Sequence, residues 1–271
     1  KALVNKGVTL AELGRPEQAL AAFEEVVARD ADSSDPALRV LVARALVNKG
    51  VALGRLGRPE QALAAYDEVI TRDAGSIDPA LREPVAKALV NKGVTLAELG
   101  RPEQALAAFE EVVARDAESS EPALREQVAA ALFNKGVTLG RLGRLGRADE
   151  AASSLRQATA LATATQLPSI YSRLGNLLLD EQGDPVAALD AYRSGLATSP
   201  TGDDRSFLHA NCAYALALHV GDRERARQHL ELALADNRMG EACRRLLRAL
   251  SLIVDENSDG IHWTRLYEQI G

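Results

Sequence analysis

The sequence has few cysteines that could cross-link the chain and no long apolar segment that could anchor it in a membrane. Its 271 residues include two cysteines, Cys212 and Cys243, which excludes a disulfide framework and favours a reducing compartment. No apolar run approaches the roughly 18 residues that span a bilayer, and no charged and apolar leader opens the chain. We therefore expect a cytoplasmic protein without a membrane partner.

Aromatic residues and blocks of like charge are also scarce. Only 4% of the residues are aromatic, so we expect closely packed helices rich in Ala, Leu and Val. The net charge is −6, and acidic and basic residues alternate along the chain. Nucleic acid is thus a poor candidate partner, because phosphate binding needs a concentrated basic stripe. No nucleophile, base and orienting group cluster in the sequence, so we expect neither catalysis nor a cofactor.

One segment of the chain recurs. The opening segment KALVNKGVTLAELGRPEQALAAFEEVVARD returns with few changes at Arg44 and Lys87, which places Asn5, Asn48 and Asn91 at intervals of 43 residues. Stacked copies of a small unit build an elongated array, and its long groove suits recognition better than catalysis. Because the chain begins in the middle of a repeat, we expect it to belong to a longer array.

Each copy has the pattern of two helices. The first ends in Leu-Gly, as at Leu13-Gly14, where Gly supplies the left-handed conformation that terminates a helix. Proline opens the second helix at its first turn, as at Pro16, and Ala19 and Phe23 begin an apolar stripe. The sequence predicts an all-α fold, a right-handed α-solenoid of seven antiparallel helical hairpins without strands.

Four positions of each copy carry the spacing of a known family. They hold Gly, Leu, Ala and an aromatic residue: Gly7, Leu10, Ala19 and Phe23; Gly50, Leu53, Ala62 and Tyr66; Gly93, Leu96, Ala105 and Phe109. The copies thereby resemble the tetratricopeptide repeat, in a long-period variant, since the usual period is about 34 residues. The Leu that usually precedes the Gly is replaced by lysine, at Lys6, Lys49, Lys92 and Lys135. A Gly inside the first helix is expected where the second helix approaches closely.

The additional residues of the long repeat are predicted to extend its first helix. Asp35-Pro36, Asp78-Pro79 and Glu121-Pro122 resemble helix starts, and the extension amounts to about two turns. Pro84 lies inside the extension of one copy. An interior proline costs about 3 kcal/mol, so we expect a kink there or a separate short turn.

We divide the chain into three parts. Residues 1–129 hold three near-identical repeats, residues 130–166 a degenerate fourth repeat with the insertion GRLGRLGR, and residues 167–271 divergent repeats with a C-terminal capping helix. That last helix is predicted to place four apolar residues on one face, Trp263, Leu266, Tyr267 and Ile270. An exposed docking helix is the alternative for this segment.

The candidate binding site is a column of amides. The family resemblance implies that one asparagine of each first helix faces a concave groove and binds an extended peptide backbone: Asn5, Asn48, Asn91 and Asn134. Lys1, Arg44 and Lys87 lie four residues earlier, on the same helix face, and Val47, Val90 and Phe133 flank the amides. Amides edged by positive charge suit an acidic or carboxylate-ended peptide. An asparagine that bonds only the neighbouring helix remains the competing interpretation.

Two other constellations favour structural interpretations. His209 and Cys212 could share a metal with Cys243 or His262, but their spacing matches no zinc motif, so we expect no metal site. The segment GRLGRLGR lacks the GxxxxGK[ST] arrangement of a phosphate-binding loop and is typical of a duplicated helix-ending turn.

These patterns favour a protein–protein interaction scaffold that holds an extended peptide or a partner protein in its groove. Two alternatives stay open. One is a self-assembling structural array, hence a homo-oligomer, and the other is the ligand-sensing array of a larger signalling ATPase or protease.

Overall fold

The chain folds as a series of helical hairpins. The computed structural model describes residues 1–73, 75–142 and 146–235, and within them the chain forms twelve α-helices, one π-helical segment and no strand. The helices follow one another as six pairs: α1 (Ala2–Glu12) and α2 (Pro16–Asp30); α3 (Pro36–Arg55) and α4 (Pro59–Asp73); α5 (Pro79–Glu98) and α6 (Pro102–Asp116); α7 (Pro122–Arg141) and α8 (Ala148–Leu161); α9 (Leu167–Asp180) and α10 (Pro185–Ala197); α11 (Gly202–Ala215), continued by the π-helical segment Leu216–Val220, and α12 (Arg223–Leu234). The predicted all-α fold of stacked hairpins is confirmed. The seventh predicted hairpin and its Trp263 stripe lie outside the described residues.

The turns within the hairpins follow the chemistry that the sequence predicts. Gly14, Gly57 and Gly100 have φ angles of +70°, +68° and +72°, a left-handed conformation that favours glycine. The Arg15 N–H then donates to the Leu10 carbonyl at 2.9 Å, which satisfies a carbonyl left over at the helix end. Proline begins the second helix two residues after each of these glycines.

The two helices of each long hairpin meet at the glycine inside the first helix. A Cβ atom added to Gly93 would lie 2.7 Å from Cζ of Phe109, which is closer than real Cβ atoms approach. The same obstruction would arise at Gly7 with Phe23 and at Gly50 with Tyr66. The expected close approach is therefore confirmed, and the aromatic ring fills the space that a side chain would take.

The predicted extension of the first helix is also confirmed. Helices α3, α5 and α7 each contain 20 residues and begin at the proline of the Asp/Glu-Pro pair. At the start of α3, the Asp35 carboxylate accepts from the backbone N–H groups of Ala37 at 2.7 Å and Leu38 at 3.2 Å. This side-chain cap satisfies two of the donors that a helix start leaves open.

Helix α5 passes through Pro84 without a break. It runs continuously from Pro79 to Glu98, so the predicted separate short turn is wrong. Pro84 lies in the second turn, and the bond that it cannot make would go to the carbonyl of Ala80, which is an exposed residue. The N–H of Leu81 bonds back to the Asp78 carbonyl at 3.0 Å, which tightens the first turn just before the proline.

The chain divides into two compact units, residues 1–138 and 139–271, and the division falls inside α7. The three-part organisation drawn from the sequence remains a prediction.

Gly146, in the described part of the GRLGRLGR segment, adopts a left-handed φ of +82° two residues before α8. None of the helices in the described ranges is both long and apolar enough to cross a membrane.

Candidate peptide-binding groove

The first helices of the hairpins in residues 1–138 are direct neighbours. Helix α1 contacts α3, and α3 contacts α5, whereas α2 and α4 pack against the first helices on either side of them. The free faces of α1, α3 and α5 therefore lie side by side. We call this surface the inner face and define it by its exposed and half-buried residues, which include Lys1, Asn5, Arg44, Asn48, Val51, Arg55, Lys87, Asn91, Val94 and Glu98.

Helix periodicity explains which residues reach the inner face. On α5, the exposed or half-buried residues Lys87, Asn91, Val94 and Glu98 follow one another at steps of four, three and four residues. Such steps place side chains along one stripe of a helix. The residues between them are mostly Ala, Leu and Val of the core, such as Leu89 at 1% exposure. The amide and the cation proposed from the sequence thus share a helix face.

Three asparagine side chains of the inner face make no hydrogen bond to another described residue. Asn48 and Asn91 are half-buried and Asn5 is exposed, and none of the three makes a side-chain hydrogen bond to any residue of the described ranges. Asn134 differs, because its Nδ2 donates to the Ala130 carbonyl of the same helix at 2.9 Å. In the second unit, Asn211 on α11 donates to Ser172 Oγ on α9 at 3.0 Å.

The positive charges next to the amides are not equivalent. The Arg44 guanidinium lies 3.3 Å from a carboxylate oxygen of Glu83 on the next first helix, so much of its charge is compensated. Lys87 is exposed and has no ion pair with a described residue, and Lys1 is exposed as well. Arg55 on α3 has no carboxylate partner among the described residues either, and it donates to the Ala11 carbonyl at 3.1 Å. Lys87 is the unpaired cation that lies one helical turn before an inner-face amide, that of Asn91.

The apolar residues named from the sequence lie beneath the surface. Val47 is 2% exposed and Val90 is 6% exposed, so both belong to the core and leave the set of candidate ligand contacts. Phe133 on α7 is half-buried. Val51 and Val94, each immediately after a close-approach glycine, are half-buried and supply the apolar surface of the inner face instead.

Three of the four lysines that replace the family's usual leucine form ion pairs between neighbouring hairpins, which the sequence analysis missed. Lys49 lies 3.4 Å from the Glu24 carboxylate, Lys92 lies 2.6 Å from Asp67, and Lys135 lies 2.9 Å from Glu110. Each acid belongs to the second helix of the preceding hairpin and stands 25 residues before its lysine. That fixed spacing was the available signal.

A histidine pair joins α11 and α12. The Nδ1 atoms of His209 and His229 are 2.9 Å apart, and the ring centroids are 5.1 Å apart. Burial and the nearby His229 and Arg205 charges lower the pKa of His209 to about 4, so both rings are neutral at physiological pH.

Cys212 is buried, and burial raises the pKa of its thiol to about 12. Cys243 and His262 lie outside the described residues.

Solved structures share this fold at low sequence identity. PilF of Pseudomonas aeruginosa is 19% identical, with a TM-score of 0.62, over 85% of this chain and 88% of that one. A tetratricopeptide repeat protein of Parabacteroides merdae is 16% identical, with a TM-score of 0.61, over 99% and 96%. BtubC of P. vanneervenii is 17% identical, with a TM-score of 0.66, over 91% and 95%. No curated protein matches the chain.

A family model matches the repeats directly. The model described as tetratricopeptide repeat aligns with residues 4–79, 48–122, 90–148 and 141–203, so its overlapping matches cover most of the chain. The glycines, alanines and aromatic residues at the hairpin contacts are those that carry the resemblance in the sequence. The chain therefore belongs to the tetratricopeptide repeat family, whose helical hairpins act as protein-binding scaffolds.

Proposed function

We propose that the inner face binds an extended peptide segment of a partner protein, one with acidic side chains or a free terminal carboxylate. The observation that carries the proposal is the state of the Asn48 and Asn91 amides. Both are half-buried, and neither has a hydrogen-bond partner within the described residues.

The chemistry of these amides suits a peptide backbone. An asparagine side chain offers two donor hydrogens and an acceptor oxygen, which complement the carbonyl and N–H groups of an extended strand. The neighbouring core residues Val47 and Val90 lower the local dielectric around the half-buried amides. Hydrogen bonds made there are stronger than in open water.

Charge supports an acidic group beside Lys87 in the N-terminal half of α5, because the C-terminal end of the same stripe holds the acidic Glu98. Lys87 is exposed, lies one turn before Asn91 and has no carboxylate partner in the described part of the chain. A lysine ammonium is a compact point charge that can follow a carboxylate on a mobile peptide. Arg44 is already engaged by Glu83, so it offers less attraction at the second hairpin.

Asn134 represents the competing structural interpretation. Its Nδ2 donates to the Ala130 carbonyl four residues earlier, so one of its two amide hydrogens is no longer available to a ligand. Asn48 and Asn91 have no such bond, and this contrast favours ligand binding at hairpins two and three.

A binding screen tests the proposal. The chain is screened against acidic octapeptides with free C-terminal carboxylates, and the tightest binder is labelled with fluorescein and titrated by anisotropy. We expect amidation of the peptide or Lys87→Glu to weaken binding by about tenfold, the effect of losing roughly 1.4 kcal/mol. Arg44→Ala serves as the matched control and should weaken binding less. Wild-type affinity retained both for the amidated peptide and in the Lys87→Glu variant would contradict the proposal.

Self-assembly is the alternative, and light scattering on the purified chain separates it from peptide binding. A monomer at the concentrations used for titration supports a groove that is open to a peptide. A stable oligomer that fails to bind any octapeptide would favour the assembly interpretation.

A further inference from the structure

Two tyrosines occupy the same place in two different hairpins. A Cβ atom added to Gly175 would lie 2.7 Å from Cζ of Tyr192, and one added to Gly50 would lie 2.7 Å from Cζ of Tyr66. In each hairpin the phenol ring therefore lies over the close-approach glycine, with its hydroxyl directed past it. The two sites provide a comparison within one chain.

The residue after the glycine decides what the hydroxyl bonds to. In the fifth hairpin, the Tyr192 hydroxyl donates to Oδ1 of Asn176, the residue after Gly175, at 2.8 Å. In the second hairpin, the residue after Gly50 is Val51, whose side chain has no acceptor. The Tyr66 hydroxyl accordingly makes no hydrogen bond to any described residue.

The Tyr66 hydroxyl nevertheless reaches the surface. The residue as a whole is 3% exposed. In the part of the chain that the structure describes, the one fully buried side-chain polar atom without a hydrogen-bond partner is Ser206 Oγ. The Tyr66 hydroxyl also has no partner, so it is not fully buried and keeps some contact with solvent. Because the two rings lie alike over Gly50 and Gly175, the residue that corresponds to Asn176 at the Tyr66 hydroxyl is Val51, a half-buried residue of the inner face.

The hydroxyl is a donor at every physiological pH. Burial, with a contribution from the Glu98 carboxylate, raises the pKa of Tyr66 to about 12. The proton therefore remains on the oxygen and is available to an acceptor. The corresponding positions of the first and third hairpins hold Phe23 and Phe109, so the second hairpin alone among these three near-identical copies has a hydroxyl there.

We infer that Tyr66 is a specificity-determining residue of the inner face, whose hydroxyl donates a hydrogen bond to an oxygen of the bound peptide between hairpins two and three. The inference rests on the proposed peptide-binding function and deepens it. The peptide oxygen takes the place that Asn176 Oδ1 has at Tyr192. A backbone carbonyl suits this place, because a ligand carboxylate would meet the negative charge of Glu98. A peptide that presents only an apolar group at this point would leave the donor unpaired.

Thermal melting first tests the state of the hydroxyl without a ligand. Tyr66→Phe should leave Tm unchanged, because no internal bond is lost and phenylalanine already fits this position in two copies. Tyr192→Phe should lower Tm, because Asn176 loses its donor. Val51→Asn should raise Tm on its own but not when it is combined with Tyr66→Phe, since it rebuilds the pair seen in the fifth hairpin. A clear fall of Tm in Tyr66→Phe would overturn the inference.

Binding is then measured with the fluorescein-labelled acidic octapeptide that the wild-type chain selects. Tyr66→Phe should weaken binding by about three- to tenfold, the range for one hydrogen bond. Val51→Asn should weaken it similarly, because the hydroxyl then has an internal acceptor, and Tyr192→Phe should leave it unchanged. Affinity within twofold of wild type in Tyr66→Phe overturns the inference, and it leaves the proposed function standing if Lys87→Glu still weakens binding. Failure of the chain to bind any octapeptide overturns both.

Discussion

The Arg39 guanidinium donates to the Asp73 carboxylate at 2.7 Å and ties the start of α3 to the end of α4. The Asp73 side chain is 5% exposed, so its charge lies inside the hairpin. Arg82 and Asp116 repeat the pair at the start of α5 and the end of α6. The arginine belongs to the additional residues of the long repeat. The longer period therefore supplies a clamp that closes the open end of the second and third hairpins.

Loss of this clamp should destabilise the second hairpin. Asp73→Ala leaves the partly buried Arg39 without its acceptor, so we expect the free energy of unfolding to fall by about 1 to 3 kcal/mol. Urea unfolding followed by circular dichroism measures the change, and the double variant with Arg39→Ala gives the coupling between the two groups. Asp30→Ala is the matched control, because Asp30 pairs with the adjacent and exposed Arg29 and closes no hairpin. Equal losses in Asp73→Ala and Asp30→Ala would refute the clamp.

Two glycines on neighbouring first helices should respond to alanine with opposite signs. Gly93→Ala places a methyl group against the Phe109 ring, and we expect a loss of about 1 to 3 kcal/mol. Gly54 lies in α3 with no atom within 4 Å of an added Cβ, and it carries no left-handed φ. Gly54→Ala should therefore stabilise the protein by about 0.5 to 1 kcal/mol through its better helix propensity. Melting curves of the two variants suffice, and the same sign for both would be inconsistent with the close approach.

The histidine pair should make the sixth hairpin sensitive to acid. The pKa of His209 is about 4 in the folded hairpin and about 6.5 in the unfolded chain. Between these pH values, His209 is protonated in the unfolded chain but stays neutral in the folded hairpin. The stability contributed by the neutral pair is complete above pH 6.5 and is lost as the pH falls toward 4. Arg193, Arg205 and Arg225 surround the pair with positive charge and oppose its protonation.

Hydrogen exchange of α11 and α12 between pH 7 and pH 4.5 checks this prediction, after correction for the intrinsic exchange rates. His209→Gln serves as the reference, because carboxylates elsewhere titrate equally in both proteins. We expect protection in these helices to fall more steeply in the wild type than in the variant. Parallel profiles would mean that the pair does not govern the acid response.

The sequence predicts the framework of the hairpins because each signal in it is local. A helix-ending Gly14, a helix-starting Pro16 and a close-approach Gly7 act within one hairpin, and the structure confirms each of them. Pro84 was misjudged as a possible separate turn because the cost of an interior proline depends on whether water reaches the released carbonyl. Exposure of Ala80 is a property of the folded hairpin and not of the sequence pattern.

The candidate site was less predictable because it depends on contacts between hairpins. The ion pair between Arg44 and Glu83 reduces the positive charge of the inner face, although the two residues are far apart in sequence. The free hydroxyl of Tyr66 becomes visible only beside its counterpart Tyr192, whose acceptor Asn176 is replaced by Val51. A single Phe-to-Tyr difference among near-identical copies was the one signal that the sequence offered.

Replacement of Asn48 and Asn91 together by alanine tests the central claim most directly, when melting and peptide affinity are measured on the same protein. We expect a Tm that is not lowered, because alanine is the better helix former and no internal bond is lost. The affinity for the selected acidic octapeptide should fall roughly ten- to a hundredfold, since each amide contributes about 1 kcal/mol or more. Asn211→Ala is the control for a structural amide, because Asn211 bonds Ser172, and it should lower Tm without weakening binding. A double variant with a lowered Tm and unchanged affinity per folded molecule would contradict the claim that the inner face binds the peptide.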